Sequence, residues 1–122
     1  MQSVDTGNAV PGELHAHAQL LVESKSPPGP GTVSRFLRAA RHLAATGTQT
    51  GVYLIDDGVD YAVSAQGEVA WVLGAGGRVW ADEVSLSERG IKTGQLAPGV
   101  VVAGLDAIAE QLFDPAVRVV WH

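Results

Sequence analysis

Strict alternation opens the first structured stretch of the chain: Glu13, His15, His17 and Gln19 face one way, and Leu14, Ala16, Ala18 and Leu20 the other. The pattern then runs into continuous Leu20-Leu21-Val22, so a first strand is expected to begin half exposed and end inside a core. Three prolines and two glycines in SKSPPGPGT force a loop. The period then becomes helical, with Val33, Phe36, Leu37, Ala40, Leu43 and Ala44 on one face, Thr32 or Ser34 as the cap and Gly47 as a left-handed stop. TGVYLID reads as a second, buried strand. Residues 56–77 predict one or two short helices, broken at Gly67 and stopped near Gly74. RVWADEV is a third strand, SLSERG a short helix closed by Gly90, IKTGQLAPG a loop and VVVAG a short fourth strand. LDAIAEQLF is a helix with Leu105, Ile108, Ala109 and Leu112 inward; Asp114-Pro115 breaks it, and AVRVVWH is a closing strand.

Strands that alternate with helices and are apolar on both faces predict an α/β fold: a three-layer α/β/α sandwich around a mostly parallel sheet of about five strands. Crossovers in such a sheet are right-handed. Residues 1–12 read as a flexible tail and 13–122 as one domain. Sites in these sheets form beyond the carboxyl ends of the strands. That edge carries ESKSPPGPG after the first strand, DDGVD after the second and ADEVSLSERG after the third.

Composition narrows the function. Apolar residues make up 46% and charged residues 17%, a bare surface that suits a subunit contact. Thirteen acidic residues against eight basic ones, net −5, argue against nucleic acid as a partner. The absence of cysteine excludes disulfides, thiolate nucleophiles, persulfide carriers and cysteine-based zinc or iron–sulfur sites. Apolar runs are too short to span a membrane, and MQSVDTGNAVPGE has neither the basic start nor the apolar stretch of a signal peptide. A cytoplasmic protein without a cofactor is expected.

Candidate chemistry gathers at the carboxyl edge. Asp82, Glu83, Ser85, Ser87 and Arg89 surround the end of the third strand. Ser85 with Glu88 three residues on forms a capping box, which accounts for the segment as architecture. Alternatively the helix amides and Arg89 hold an anion, which Asp82 and Glu83 would oppose. A paired-carboxylate acid/base is disfavoured because neighbouring strand residues face opposite ways. SKSPPGPGT lacks the spacing of a phosphate loop, and its prolines remove amide donors; Lys25 is its one charged candidate for a pocket. Asp56, Asp57 and Asp60 suit a turn and a helix start, with Asp57 kept as a pocket candidate. His15 and His17 could chelate a metal only with a third ligand. Arg35, Arg38, Arg41 and His42 line the polar side of the first helix, a candidate oligomer contact, and Trp71, Trp80 and Trp121 are core or interface anchors.

Three stretches, LLVESKSPPGPGTVSRFLRAARHLAATG, GVYLIDDGVDYAV, and VWADEVSLSERGI with the LAPGVVVAGLDAIAEQLFDPAVRVVWH that follows, resemble the DsrE/DsrF-like family of small sulfur-relay proteins. The resemblance covers nearly all of residues 19–121 and implies an α/β/α domain assembled into trimers, hexamers or related oligomers. It also implies a persulfide-carrying cysteine eight residues before the glycine of the Arg-Gly pair. Here that position is Asp82, which cannot carry sulfur. The leading expectation is a non-catalytic homo-oligomer, trimer or hexamer, that binds a small ligand or a partner. Two alternatives stand beside it: an enzyme using non-thiol chemistry at the strand ends, and a structural subunit for a cysteine-bearing paralogue.

Overall fold

The computed structural model describes residues 18–29, 31–63 and 67–122. In chain order the elements are β1 (Gln19–Glu23), α1 (Arg35–Ala45), β2 (Thr50–Leu54), α2 (Glu68–Gly74), β3 (Arg78–Asp82), α3 (Glu83–Glu88), β4 (Val101–Ala103), α4 (Leu105–Phe113) and β5 (Arg118–Trp121). Two 3₁₀ segments, Asp56–Val63 and Thr93–Gln95, fill the gaps after β2 and α3. The five strands form one parallel sheet in the order β4-β3-β2-β1-β5, as the alternation of element types predicts.

This order follows from a single reversal. The chain steps outward from β1 to β4, and α4 then carries it across to the far side of β1. Connections of one hand place helices on opposite faces when the direction of travel reverses. Accordingly α1, α2 and α3 pack on one face, where Leu37, Ala40, Val69, Val72 and Leu86 cover Leu21, Val52, Leu54, Val79 and Ala81. On the other face α4 packs Ile108 on Leu20, Val22, Tyr53 and Trp80. Each fully buried large side chain stabilises the fold by roughly 1.5–3 kcal/mol relative to exposure, so both clusters matter.

Local signals explain most element ends. The Ser34 hydroxyl accepts from the Leu37 N–H at 3.1 Å and starts α1. Gly47, with φ 97°, ends it in the left-handed conformation that glycine adopts without strain. Gly58 matters for a different reason: a Cβ there would collide with the Glu23 carbonyl, so the 3₁₀ segment can lie against the end of β1 only with glycine at this point.

Several sequence expectations need correction. α1 begins at Arg35, which leaves Val33 outside it and exposed. β3 ends at Asp82 and α3 begins at Glu83 without a linker, so Glu83 and Val84 are helical. Leu105, expected inward, is half exposed at the start of α4, and Gln111 takes the buried place one turn beyond Ile108. Of the three tryptophans read as core or interface anchors, Trp80 is a core residue, while Trp71 is 38% and Trp121 60% exposed. The expected tail, the alternation of residues 13–17 and the His15/His17 pair lie outside the described residues. Among the described residues no helix is long and apolar enough to cross a membrane.

Candidate functional site at the carboxyl edge

Asp82 closes β3 and caps α3. Tyr53 lies on the neighbouring strand in register with Trp80, two positions short of Asp82 and on the same face of the sheet. Its hydroxyl donates to Asp82 Oδ1 at 2.6 Å. Oδ2 accepts from the Ser85 N–H at 2.9 Å and the Ser85 hydroxyl at 2.7 Å. Ser85 Oγ in turn accepts from the Asp56 N–H at 2.8 Å. Asp56 needs that support, because it is the one non-glycine among the described residues with positive φ, 52°. The network ties together β2, the 3₁₀ segment, β3 and α3.

The cap is therefore Asp82, not Ser85 with Glu88 as its box. Both D-E-V-S and S-L-S-E fit an N-terminal signature. Asp82 wins because β3 delivers it, buried, where the helix amides open. Burial by itself would raise its carboxyl, but the hydrogen bonds from Tyr53 and Ser85 outweigh that and hold it below the ordinary carboxylate range. Burial, followed by the hydrogen bond and charge of Asp82, pushes the Tyr53 phenol far above its usual value. A carboxylate with both oxygens engaged and the charged form favoured is a poor proton donor near neutrality.

The remaining candidates separate from it. Glu83 faces outward and lines a cavity of about 360 Å³ with Leu86, Ser87, Gly90, Ile91, Lys92, Thr93 and Val102. Lys92 and Thr93 were not singled out in the sequence, because IKTGQLAPG reads only as a loop. Arg89 turns away, donating to Asp57 Oδ1 at 2.7 Å and to the Ser85 carbonyl at 3.3 Å, so the Asp57 candidate is its partner. The hydrogen bond to Asp57 raises the Arg89 guanidinium further. Lys25 is exposed on the β1 loop, where its backbone N–H donates to Glu23 Oε2 at 3.1 Å. The cavity thus offers one acid, one amine and two hydroxyls over an apolar floor, and neither Asp82, Ser85 nor Arg89 lines it.

A second polar group stands where β1 meets β5, the point at which the strand order reverses. Glu23 is fully buried, and both carboxylate oxygens lie 3.0 Å from His122 Nδ1. The imidazole stacks on Phe36 with ring centroids 5.0 Å apart. Burial raises the Tyr61 phenol nearby, with the charges of Glu23 and Glu68 adding to it. Sequence reading missed this group because Glu23 and His122 are 99 residues apart. Among the described residues no three His, Cys, Asp or Glu side chains gather as a metal site.

The model of the DsrE/DsrF-like family matches residues 18–121. The chain belongs to the DsrE/DsrF-like family. Two solved structures support the same fold for this DsrE-like chain. The YchN protein from E. coli is 20% identical, with a TM-score of 0.66 over 84% of this chain and 98% of that one. MTH1491 from Methanobacterium thermoautotrophicum, described as a protein of unknown function, is 18% identical, with a TM-score of 0.68 over 86% and 99%. No curated protein sequence matches the chain. Asp82, where the resemblance implies a sulfur-carrying cysteine, is a helix cap in this structure.

Proposed function

We propose that this DsrE-like protein is a non-catalytic, cytoplasmic homo-oligomer, trimeric or hexameric, that binds a small ligand or a protein partner. The observation that carries the reading is the state of Asp82: the position assigned by resemblance to a persulfide cysteine holds a buried carboxylate whose two oxygens accept three hydrogen bonds. The chain also has no cysteine on which to carry sulfur, and the Glu83–Lys92 cavity beside Asp82 suits a small polar ligand with an apolar part. Assembly is supported by the α4 face, where Val101, Leu105, Phe113 and Trp121 stand 49–83% exposed.

Sedimentation velocity on the purified chain tests the assembly. A trimer or hexamer that falls to monomer in Trp121→Ala is expected; a wild-type monomer would defeat the oligomer reading. For the cavity, thermal melting with amino acids, small carboxylates and low-molecular-weight thiols is the assay. A ligand at about 100 times its Kd adds about 2.7 kcal/mol, and Lys92→Ala should abolish the shift it causes.

A second reading rests on the same exposed apolar positions: the chain is the structural subunit of a hetero-oligomer whose cysteine-bearing paralogue performs the relay. Affinity purification of a tagged chain from its native cells separates the two. Recovery of the chain with itself alone rules out the hetero-oligomer.

A further inference from the structure

The outer face of α1 runs against the charge of the rest of the molecule. The helix carries three of the chain's eight Lys and Arg residues and none of its thirteen Asp and Glu residues, in a protein of net charge −5. Arg35, Arg38 and His42 form one stripe with i, i+3, i+7 spacing, and Arg41 stands beside it; all four are exposed. Among the described residues none of the three arginines reaches a carboxylate within salt-bridge distance. Glu68, the one carboxylate on α2, is engaged by the Ser34 N–H at 3.0 Å instead.

Two shallow grooves flank the stripe. One, of about 470 Å³, is lined by Arg35, Arg38 and His42 around Ala39. The other, of about 450 Å³, lies between Arg41, Ala45 and Trp71. The Arg41 guanidinium sits 5.6 Å from the Trp71 ring centre, which fixes a cation on an aromatic floor. Small residues between the arginines let a backbone approach, and Arg and Trp are the side chains that most often dominate binding energy at interfaces.

We propose that this face is a docking surface for an acidic polypeptide segment of a partner protein. The segment is one that pairs carboxylates with the arginine stripe and lays an apolar side chain on Trp71. The stripe spans about 10 Å, the reach of roughly four extended residues, so acidic residues at alternate positions match it. A two-fold contact with a second copy through the same face would set arginine against arginine and is opposed by repulsion. Nucleic acid also presents negative charge, but the net charge of the protein repels a long polyanion while leaving a short acidic segment free to dock. The surface lies on the opposite side of the sheet from α4 and apart from the Glu83–Lys92 cavity. The inference thus goes beyond the function proposed above, and its failure would leave that reading intact.

Fluorescence anisotropy with a labelled octapeptide alternating Glu and Leu tests it, alongside a Lys–Leu octapeptide and a single-stranded oligonucleotide. The full chain is expected to bind the Glu–Leu peptide alone, and more weakly as salt rises. Arg35→Glu/Arg38→Glu should weaken binding at least about tenfold, as like charges across an interface do. Trp71→Ala should weaken it several-fold with salt dependence unchanged. Both variants alter exposed side chains, and an unchanged circular dichroism spectrum verifies their fold. Equal binding of the Lys–Leu peptide, tighter binding of the oligonucleotide, or a double variant that binds like the wild type would each overturn the proposal. A change in oligomer mass on Arg35→Glu/Arg38→Glu would overturn it too, by assigning the face to a second copy.

Discussion

The two faces of the sheet are built differently. Under α1, α2 and α3 the middle of the sheet is aliphatic, with Leu21, Val52, Leu54, Val79 and Ala81, while buried Thr50 and Glu23 stand at the strand ends, and three helices shield them. The face under α4 presents Tyr53, Trp80 and the Asp82 carboxylate along with Leu20 and Val22, beneath one nine-residue helix. A helix with its side chains is about 10 Å across, whereas five strands span about 19 Å. One helix therefore covers the centre and leaves the margins, Val101 on β4 and Trp121 on β5, in the open. The first face is finished within the chain. The second joins a buried polar network to an uncovered aromatic rim, and that is where the proposed assembly belongs.

The largest expected effect comes from cutting the core on either side. Leu37→Ala and Ile108→Ala each remove a fully buried side chain and should lower the unfolding free energy in urea by about 3 kcal/mol. With α4 the sole helix on its face among the described residues, Ile108→Ala should strip hydrogen-exchange protection from α4 well beyond the global loss, whereas Leu37→Ala should leave α1 protected to the global limit by its neighbours. Equal local losses would mean that the two layers are equally secured.

An intermediate effect isolates the polar network. Tyr53→Phe removes one donor from the buried Asp82 carboxylate and should destabilise by about 2 kcal/mol at neutral pH. The folded pKa of Asp82 is depressed, so its contribution is fully present above the unfolded value of about 3.9 and is lost as pH falls through the folded one. The gap between Tyr53→Phe and wild type should accordingly narrow on acidification below about pH 4 in denaturant titrations. A gap independent of pH would show that the phenol acts through packing alone.

The smallest effect is expected at Arg89. Its ion pair with Asp57 is exposed, and Arg89→Ala should leave the melting temperature unchanged within error. A clear drop would move this pair into the set of contacts that hold α3 to the 3₁₀ segment.

Which features could be read in advance follows from whether their cause is local. β1, β2 and the body of α1 are legible because Leu20-Leu21-Val22, TGVYLID and the helical spacing of Phe36, Leu37, Ala40, Leu43 and Ala44 each carry their signal within a few residues. The family resemblance is legible for a similar reason, as order and spacing along the chain. The cap of α3 was misassigned because two local signatures overlap, and only the burial of Asp82 by β3 chooses between them. Tyr53–Asp82 needs the strand register, and Glu23–His122 needs the sheet order. Leu105 was expected inward because periodicity marks a face of a helix, not how far the sheet extends beneath it.

The sheet order also bears on how the protein is made. Of the five described strands β1 is synthesised first, yet one of its two neighbours, β5, comes after all the others. Until residues 118–121 have been added, one edge of β1 offers unpaired amides and carbonyls beside Leu20, Leu21 and Val22. Growing chains held close together on one message could pair through that edge with each other. Completion of β5, with the Ser24 N–H and hydroxyl both donating to the His122 carbonyl, closes that window. Slowed translation between α4 and β5 should therefore lower the soluble yield more than the same delay between α1 and β2.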